Sequence, residues 1–356
     1  MNSALQAFLV AMATFALISI VYFIYRTAKK HRSDIESRSR TIPIRTVPDL
    51  PTSASFIGLG ESQLFDPYLT RIEMSDLVTG TRNFSPELIV GGGTFGYIYK
   101  ANLPSCVTVA IKKLGADAFR GHREFRAEME TLGKIRHDNI VRFFGYCATG
   151  SDRILIYEFV EKGSLDQWLY DMSPENDTSS LTWGTRVKII KGKKFSIPVG
   201  DAISASNVLL DSNFEARVAD FSLARRIEDA RSYVTTRVEG TVGYMPPEYF
   251  YGAPMATMRG DVYSFGILMF EVVTSKRSNL TIRDGRWKEI RLVEWATAMV
   301  SQNREMEMVD VGLPREELKV TEVLEFFRIA TFCTTESHKL RPNMNEVVDL
   351  LDQIPD

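Results

Sequence analysis

Cysteine and histidine are scarce in this 356-residue chain, and each shortage narrows the field. Cys106, Cys147 and Cys333 are widely separated and odd in number. That leaves neither a disulfide framework nor paired zinc-ligand spacing, and it suits a reducing compartment. The four histidines are His31, His122, His137 and His338. Surplus charge is missing too: the net charge of −2 argues against nucleic acid as a partner, because engaging phosphates takes a basic excess. No internal repeat is visible, which weighs against a solenoid. What remains is an ordinary globular composition, 44% apolar and 25% charged, with length for one large or two small domains.

One uncharged run stands apart. Residues 7–25, from Ala7 to Tyr25, are almost wholly apolar and long enough at the helical rise to cross a hydrocarbon core. Arg26, Lys29, Lys30, His31 and Arg32 follow, whereas residues 1–6 carry no side-chain charge. The positive-inside rule then puts 1–6 outside and the remainder in the cytoplasm. A cleaved secretory signal would carry its basic cluster before the apolar run, and no Gly follows Met1 to accept a myristoyl group. Residues 26–70, rich in Ser, Thr, Pro and Arg from 33 onward, read as a juxtamembrane linker. The folded part is expected at 71–356.

Ser75 to Ser85 reads as a short capped helix and turn. Next comes a glycine-rich stretch in which Gly91, Gly93 and Gly96 make G-x-G-x-x-G, with Ile98 just beyond. Taken alone, the motif describes a glycine-rich hairpin equally well. A dinucleotide fold would open a helix inside it and place an acid about twenty residues on. Here the β-branched run Val107-Thr108-Val109-Ala110-Ile111-Lys112 follows instead. Sixteen residues after Lys112 stands Glu128, in a segment where Phe125, Met129 and Leu132 recur at helical spacing. Further on come Asn207, the apolar Val208-Leu209-Leu210 and Asp220-Phe221-Ser222, and then Pro246-Pro247-Glu248 and Arg341-Pro342.

As an ordered set, GTRNFS, GGGTFGYIYKA, VAIKKL, EFRAEMETLGKIRHDNIVRFFGYC and LIYEFVEKGSLDQWL resemble the kinase domain of plant receptor-like kinases of the leucine-rich-repeat kind. The resemblance covers about residues 70 to 356 and implies the two-lobed α+β kinase fold, with a small lobe to about 160 and a large lobe from 161. It implies ATP and Mg²⁺ as cofactors, held by the glycine loop, Ile98 and Lys112, by the hinge backbone at Glu158 and Val160, and by the metal ligands Asn207 and Asp220. Tyr157 would guard the pocket behind the hinge, and Glu128 would pair with Lys112. Glu248 would pair with Arg341, and Thr235, Thr236 and Thr241 of the activation segment become candidate phosphosites.

The likeness fails at one place. The family's catalytic loop reads His-Arg-Asp-x-x-x-x-Asn, and here those first three positions are Gly200, Asp201 and Ala202. Alanine cannot accept a proton from a substrate hydroxyl, and Asp201 lies one residue too far from Asn207 to replace the base without a bulge. Ser204 stands where the family has a phosphate-neutralising lysine. Before this, Leu181 to Ile190 resembles the start of the family's long helix E, but Gly192, Pro198 and Gly200 oppose its continuation. About nine residues are missing, roughly 13 Å of helix, so a cavity or local rearrangement is expected.

The expected function is therefore a membrane-anchored, receptor-like signalling protein, single-pass in the plasma membrane. It would bind ATP but be catalytically impaired: a pseudokinase docking to other receptor-like kinases or signalling proteins. The alternative is an active serine/threonine kinase acting on protein substrates. The intact pattern on both sides of residues 191–204 resembles a local replacement, as from a misplaced splice junction, and sequencing the transcript would test that origin.

Overall fold

The computed structural model describes residues 72–354 apart from 94–95, 105, 116–124, 126–127, 129–136, 150–151, 172–180, 193–202, 220–232, 236–240, 252–254 and 284–287. The expected membrane span at 7–25 lies outside these residues. Among those described, no helix is long and apolar enough to cross a membrane.

A short helix α1 (Met74–Gly80) leads into a five-stranded antiparallel sheet. Its strands are β1 (Ile89–Gly93), β2 (Gly96–Asn102), β3 (Thr108–Leu114), β4 (Phe143–Thr149) and β5 (Asp152–Glu158), in the order β1-β2-β3-β5-β4. Alternation along each strand sorts the side chains onto two faces. On one face Tyr99, Val109, Ile111, Ile154 and Ile156 form a small core with Leu77 of α1. Leu114, Leu155 and Tyr157 belong to the other, larger core. Helix α1 is capped by Glu73, whose side chain takes the Asp76 position's amide while Asp76 returns the bond.

Gly96 is a packing requirement as well as part of a motif. Its φ is +148°, and a Cβ there would sit 2.0 Å from the Lys113 carbonyl oxygen, so any side chain would push β2 off β3.

Beyond the sheet come α2 (Leu165–Tyr170), α3 (Trp183–Lys191) and the hairpin β6 (Val208–Leu210) and β7 (Ala216–Val218). They are followed by β8 (Tyr233–Thr235), α4 (Glu248–Tyr251), β9 (Met255–Thr257) and α5 (Met258–Thr274). The chain ends with β10 (Ile282–Arg283), β11 (Glu289–Ile290), α6 (Leu292–Val300), α7 (Val320–Cys333) and α8 (Met344–Asp352). The strand β8 pairs with β9.

Helix α5 is the axis of this part: every residue from Gly260 to Thr274 is buried, and the Thr257 hydroxyl caps it by accepting from the Gly260 amide at 2.9 Å. At Gly266 it touches α7, where a Cβ would lie 2.7 Å from Cys333 Cβ. Helix α3 ends at Lys191 with Gly192 as its cap. The expected cavity or rearrangement at 193–202 lies outside the described residues, and the chain is again buried at Ile203, Ala205 and Val208.

Arg186 fastens α3 to this core. Its guanidinium donates to the Leu181 and Val272 carbonyls and the Ser275 hydroxyl, and it meets Asp310 Oδ2 at 2.5 Å. Burial pushes the Asp310 carboxyl up, but the Ser275 hydroxyl, the Gly312 amide and Arg186 outweigh it and leave the group below its usual range. A carboxylate lowered on folding stabilises the fold above its unfolded value of 3.8, and that contribution is lost as pH falls through the folded value. Asp310→Asn is thus expected to cost about 2–3 kcal/mol at neutral pH. The cost should begin to shrink as pH falls below about 4, where the unfolded carboxyl takes up its proton, as read by urea unfolding.

Candidate active site

The cleft face of the sheet is set by register. Gly91 opposes Ile98, Ile98 opposes Lys112, and Lys112 opposes Leu155; opposed residues share a face, so these four form one row across the sheet. Ala110, two residues before Lys112, opposes Tyr157 on the same face. Phe125 and Glu128 are helical and buried.

Lys112 Nζ lies 2.6 Å from Glu128 Oε1, the two side chains being 9% and 1% exposed. At such burial, removing one partner strands the other, a loss of about 3–5 kcal/mol. The second Glu128 oxygen accepts a short bond from the Tyr157 hydroxyl. Tyr157 thus holds the acid that holds the lysine, while its ring packs 5.5 Å from that of Phe143. The sequence reading missed this bond, because an aromatic before a hinge signals bulk and not a hydrogen bond.

At Gly91 a Cβ would find no atom of the described residues closer than 3.7 Å. The described residues therefore do not require glycine there, and the bare backbone stands in the same row as Lys112. This is the fit expected of a phosphate-bearing ligand, for which a cation and an uncovered strand are what matter. At the hinge, Val160 is buried and Glu158 ends β5. The Glu158 side chain opposes Val109 and turns to the face away from Lys112.

Asn207 precedes β6, and its carbonyl accepts from the Ala219 amide at 2.7 Å. Asp220, Asp201, Ala202 and Thr236 lie outside the described residues, so their arrangement with Asn207 is not described. Ser204 is buried, its hydroxyl 3.0 Å from that of Ser206. Thr235 closes β8, opposite Met255. Thr241 is half-buried, its carbonyl accepting from the Tyr244 amide.

The end of the activation segment is fixed by a buried chain of hydrogen bonds. The Tyr244 hydroxyl accepts from the Ala205 amide at 2.9 Å and donates to Glu271 of α5. The other Glu271 oxygen accepts from the Ser278 amide at 2.5 Å. Burial drives the Glu271 carboxyl upward, against the bonds from Tyr244 and Ser278, and burial with the nearby carboxylate raises Tyr244. In the sequence Glu271 is an acid within an apolar stretch, and its partners, 27 residues before and 7 after, are not signalled by it. Arg341 then clamps Glu248 through two bonds of 2.7 Å.

Residues 86–351 match the family model described as protein tyrosine and serine/threonine kinase. The chain belongs to that kinase family. Its kinase domain is of the plant receptor-like type. It is 40% identical to the leucine-rich repeat receptor protein kinase EMS1 of Arabidopsis thaliana, over 82% of this chain and 25% of that protein. Against phytosulfokine receptor 2 of Arabidopsis thaliana the identity is 36%, over 91% of this chain and 32% of the relative. Against the brassinosteroid LRR receptor kinase BRL3 of Oryza sativa subsp. japonica it is 34%, over 97% and 29%. The chain thus spans about a quarter to a third of the length of these relatives.

Tyr244→Phe leaves the Ala205 amide buried without its acceptor, a loss of about 1–3 kcal/mol. Chemical denaturation of the purified full chain should show it, and unchanged stability would mean that the bond contributes nothing.

Proposed function

We propose that this chain is a membrane-anchored pseudokinase of the receptor-like type. It holds ATP and Mg²⁺, transfers phosphate poorly or not at all, and acts by docking to other receptor-like kinases or signalling proteins. The observation that carries the reading is a contrast. The Lys112–Glu128 pair is closed at 2.6 Å, whereas Ala202 occupies the position of the base.

In this reading Lys112 neutralises phosphate charge, the bare backbone at Gly91, Gly93 and Gly96 leaves room for it, and Ile98 and Val160 offer apolar walls to the base. The hinge backbone at Glu158 and Val160 orients the base, and Asn207 and Asp220 hold the metal. Bound ATP with Mg²⁺ supplies the transferable phosphoryl group. No side chain at 202 can take the proton from an attacking hydroxyl, a loss of about 10² to 10⁴ in rate, and Ser204 carries no charge to neutralise the moving phosphate.

The run from Ala7 to Tyr25 with its following cations supports a single-pass anchor in the plasma membrane. Thr235, Thr236 and Thr241 are sites at which a partner kinase could write its signal. A second reading is an active serine/threonine kinase in which the loop around Ala202 is bypassed; the closed Lys112–Glu128 pair serves nucleotide binding in both readings, so phosphate transfer is what separates them.

The test is a paired assay on the full chain in detergent: binding of a fluorescent ADP analogue with Mg²⁺, and transfer from labelled ATP to itself and to a generic basic protein. Binding is expected, weakened at least tenfold by Lys112→Met, with transfer at least about a hundredfold below that of a family member with an intact loop. Transfer at the ordinary rate, abolished by Lys112→Met, would establish the second reading; no binding at all would overturn both.

A further inference from the structure

The hinge carries an ionic strap on the side facing away from the cleft. Glu158 Oε1 accepts from the Arg142 amide at 2.8 Å, and Arg217 Nη1 reaches both carboxylate oxygens, at 3.0 and 3.2 Å. Arg217 Nη2 continues to Asp211 Oδ2 at 3.3 Å. Asp211 is itself pinned, its Oδ1 accepting from the amides of Asn213 and Glu215, each at 2.9 Å. The strap therefore runs from the turn of the β6–β7 hairpin, through Arg217 on β7, to the last residue of β5.

The hairpin is an unusually firm post for it. On one side β7 bonds the chain that enters β4: the Val218 amide donates to the Asn139 carbonyl at 2.8 Å, the Val141 amide to the Val218 carbonyl at 3.0 Å, and Asn139 Nδ2 to the Ala216 carbonyl at 3.1 Å. On the other side β6 bonds the chain that leaves the hinge, through Lys162 N to the Leu210 carbonyl at 3.0 Å and Leu210 N to the Gly163 carbonyl at 2.9 Å. The chain that enters β4 and the chain that leaves the hinge are thus tied to one hairpin by backbone, and Arg217 adds a side-chain tie at the point where the hinge begins.

We propose that Arg217 is a positioning residue for the nucleotide site: by gripping the Glu158 carboxylate from behind, it fixes the peptide groups of 158–160 that would face the adenine. The proposal rests on the nucleotide-binding reading given above. Rotation of the Glu158 side chain into the cleft would bring a negative charge toward an anionic ligand and swing the following peptide with it; the strap holds both off. The groups are only partly buried, with exposures of 26% for Arg217, 18% for Glu158 and 14% for Asp211, a setting in which ion pairs add little to global stability. The effect is therefore local.

Arg217→Gln in the full chain is expected to speed amide exchange at 158–163 about tenfold without nucleotide, and to weaken binding of a fluorescent ADP analogue with Mg²⁺ about five- to tenfold. Thermal stability should fall by no more than a few degrees. Arg217→Lys should recover part of both effects. Glu158→Gln should reproduce them, and the double variant should be no worse than either single one, since both break the same tie. Arg277→Gln, which breaks a comparable pairing to Asp166 and Asp171, should leave both readouts unchanged. Unchanged exchange or unchanged affinity in Arg217→Gln overturns the proposal, as does an additive double variant. A wild-type chain that binds no nucleotide removes the reading beneath it, and exchange at 158–163 then decides alone: faster exchange keeps Arg217 as the residue that positions the hinge, and unchanged exchange removes that role too.

Discussion

A helix buried on all sides imposes the constraint from which most of this structure follows. Gly260 to Thr274 of α5 is shielded from water along its whole length, so its polar groups must find partners inside the protein. Thr274 returns its hydroxyl to the Phe270 carbonyl at 2.7 Å, and Ser264 donates to the Tyr244 carbonyl at 2.9 Å. Glu271 gathers Tyr244 and Ser278, while the Val272 carbonyl takes Arg186 and the Arg259 carbonyl takes Arg341. The first of these bonds closes within the helix; the others satisfy it and fasten further stretches of chain to it. The end of the activation segment, α3 and the C-terminal helices are positioned by what α5 needs. Around them Phe265 and Phe270, both fully buried, supply apolar contact whose truncation would cost about 3–5 kcal/mol each.

Pattern and motif carried the reading far where the physics is local. The alternation of Val109, Ala110, Ile111 and Lys112 announces a strand with one cleft face and one core face, and the register places each residue accordingly. The stop after Lys191 follows from Gly192. The pairs Lys112–Glu128 and Glu248–Arg341 were reached through the likeness to a family, because nothing in spacing alone brings together residues 93 apart. What stayed hidden were ties made by side chains whose residue types advertise nothing: a tyrosine hydroxyl on Glu128, another on Glu271, and an arginine in a short strand behind the hinge. The start of α5 at Met258 is likewise local, because Thr257 supplies the cap.

Chemistry and scaffold are separable in this arrangement. The remnant of the catalytic loop that is described, Ile203 to Asn207, is seated by burial of Ile203 and Ala205, by the Tyr244 hydroxyl and by Asn207's carbonyl on Ala219. None of those anchors uses a side chain from positions 200 to 202. Gly200, Asp201 and Ala202, which stand where the family has His-Arg-Asp, can therefore share a chain with a complete activation-segment anchor and a closed lysine–glutamate pair.

The long polar ties of the helical part also order its birth on the ribosome. Arg186 waits for Asp310, 124 residues later, Trp183 for Glu322, 139 later, and Lys191 for the Ile354 carbonyl, 163 later. At roughly 5–20 residues per second of synthesis, α3 emerges on the order of 6–25 seconds before the carboxylate that receives its arginine exists. The five-stranded sheet, whose pairings close within residues 89–158, needs no such wait. Newly made chains thus pass through an interval in which the sheet can be complete while α3 and α5 still lack their late partners, and in that interval the nascent protein depends on whatever shields its apolar helices.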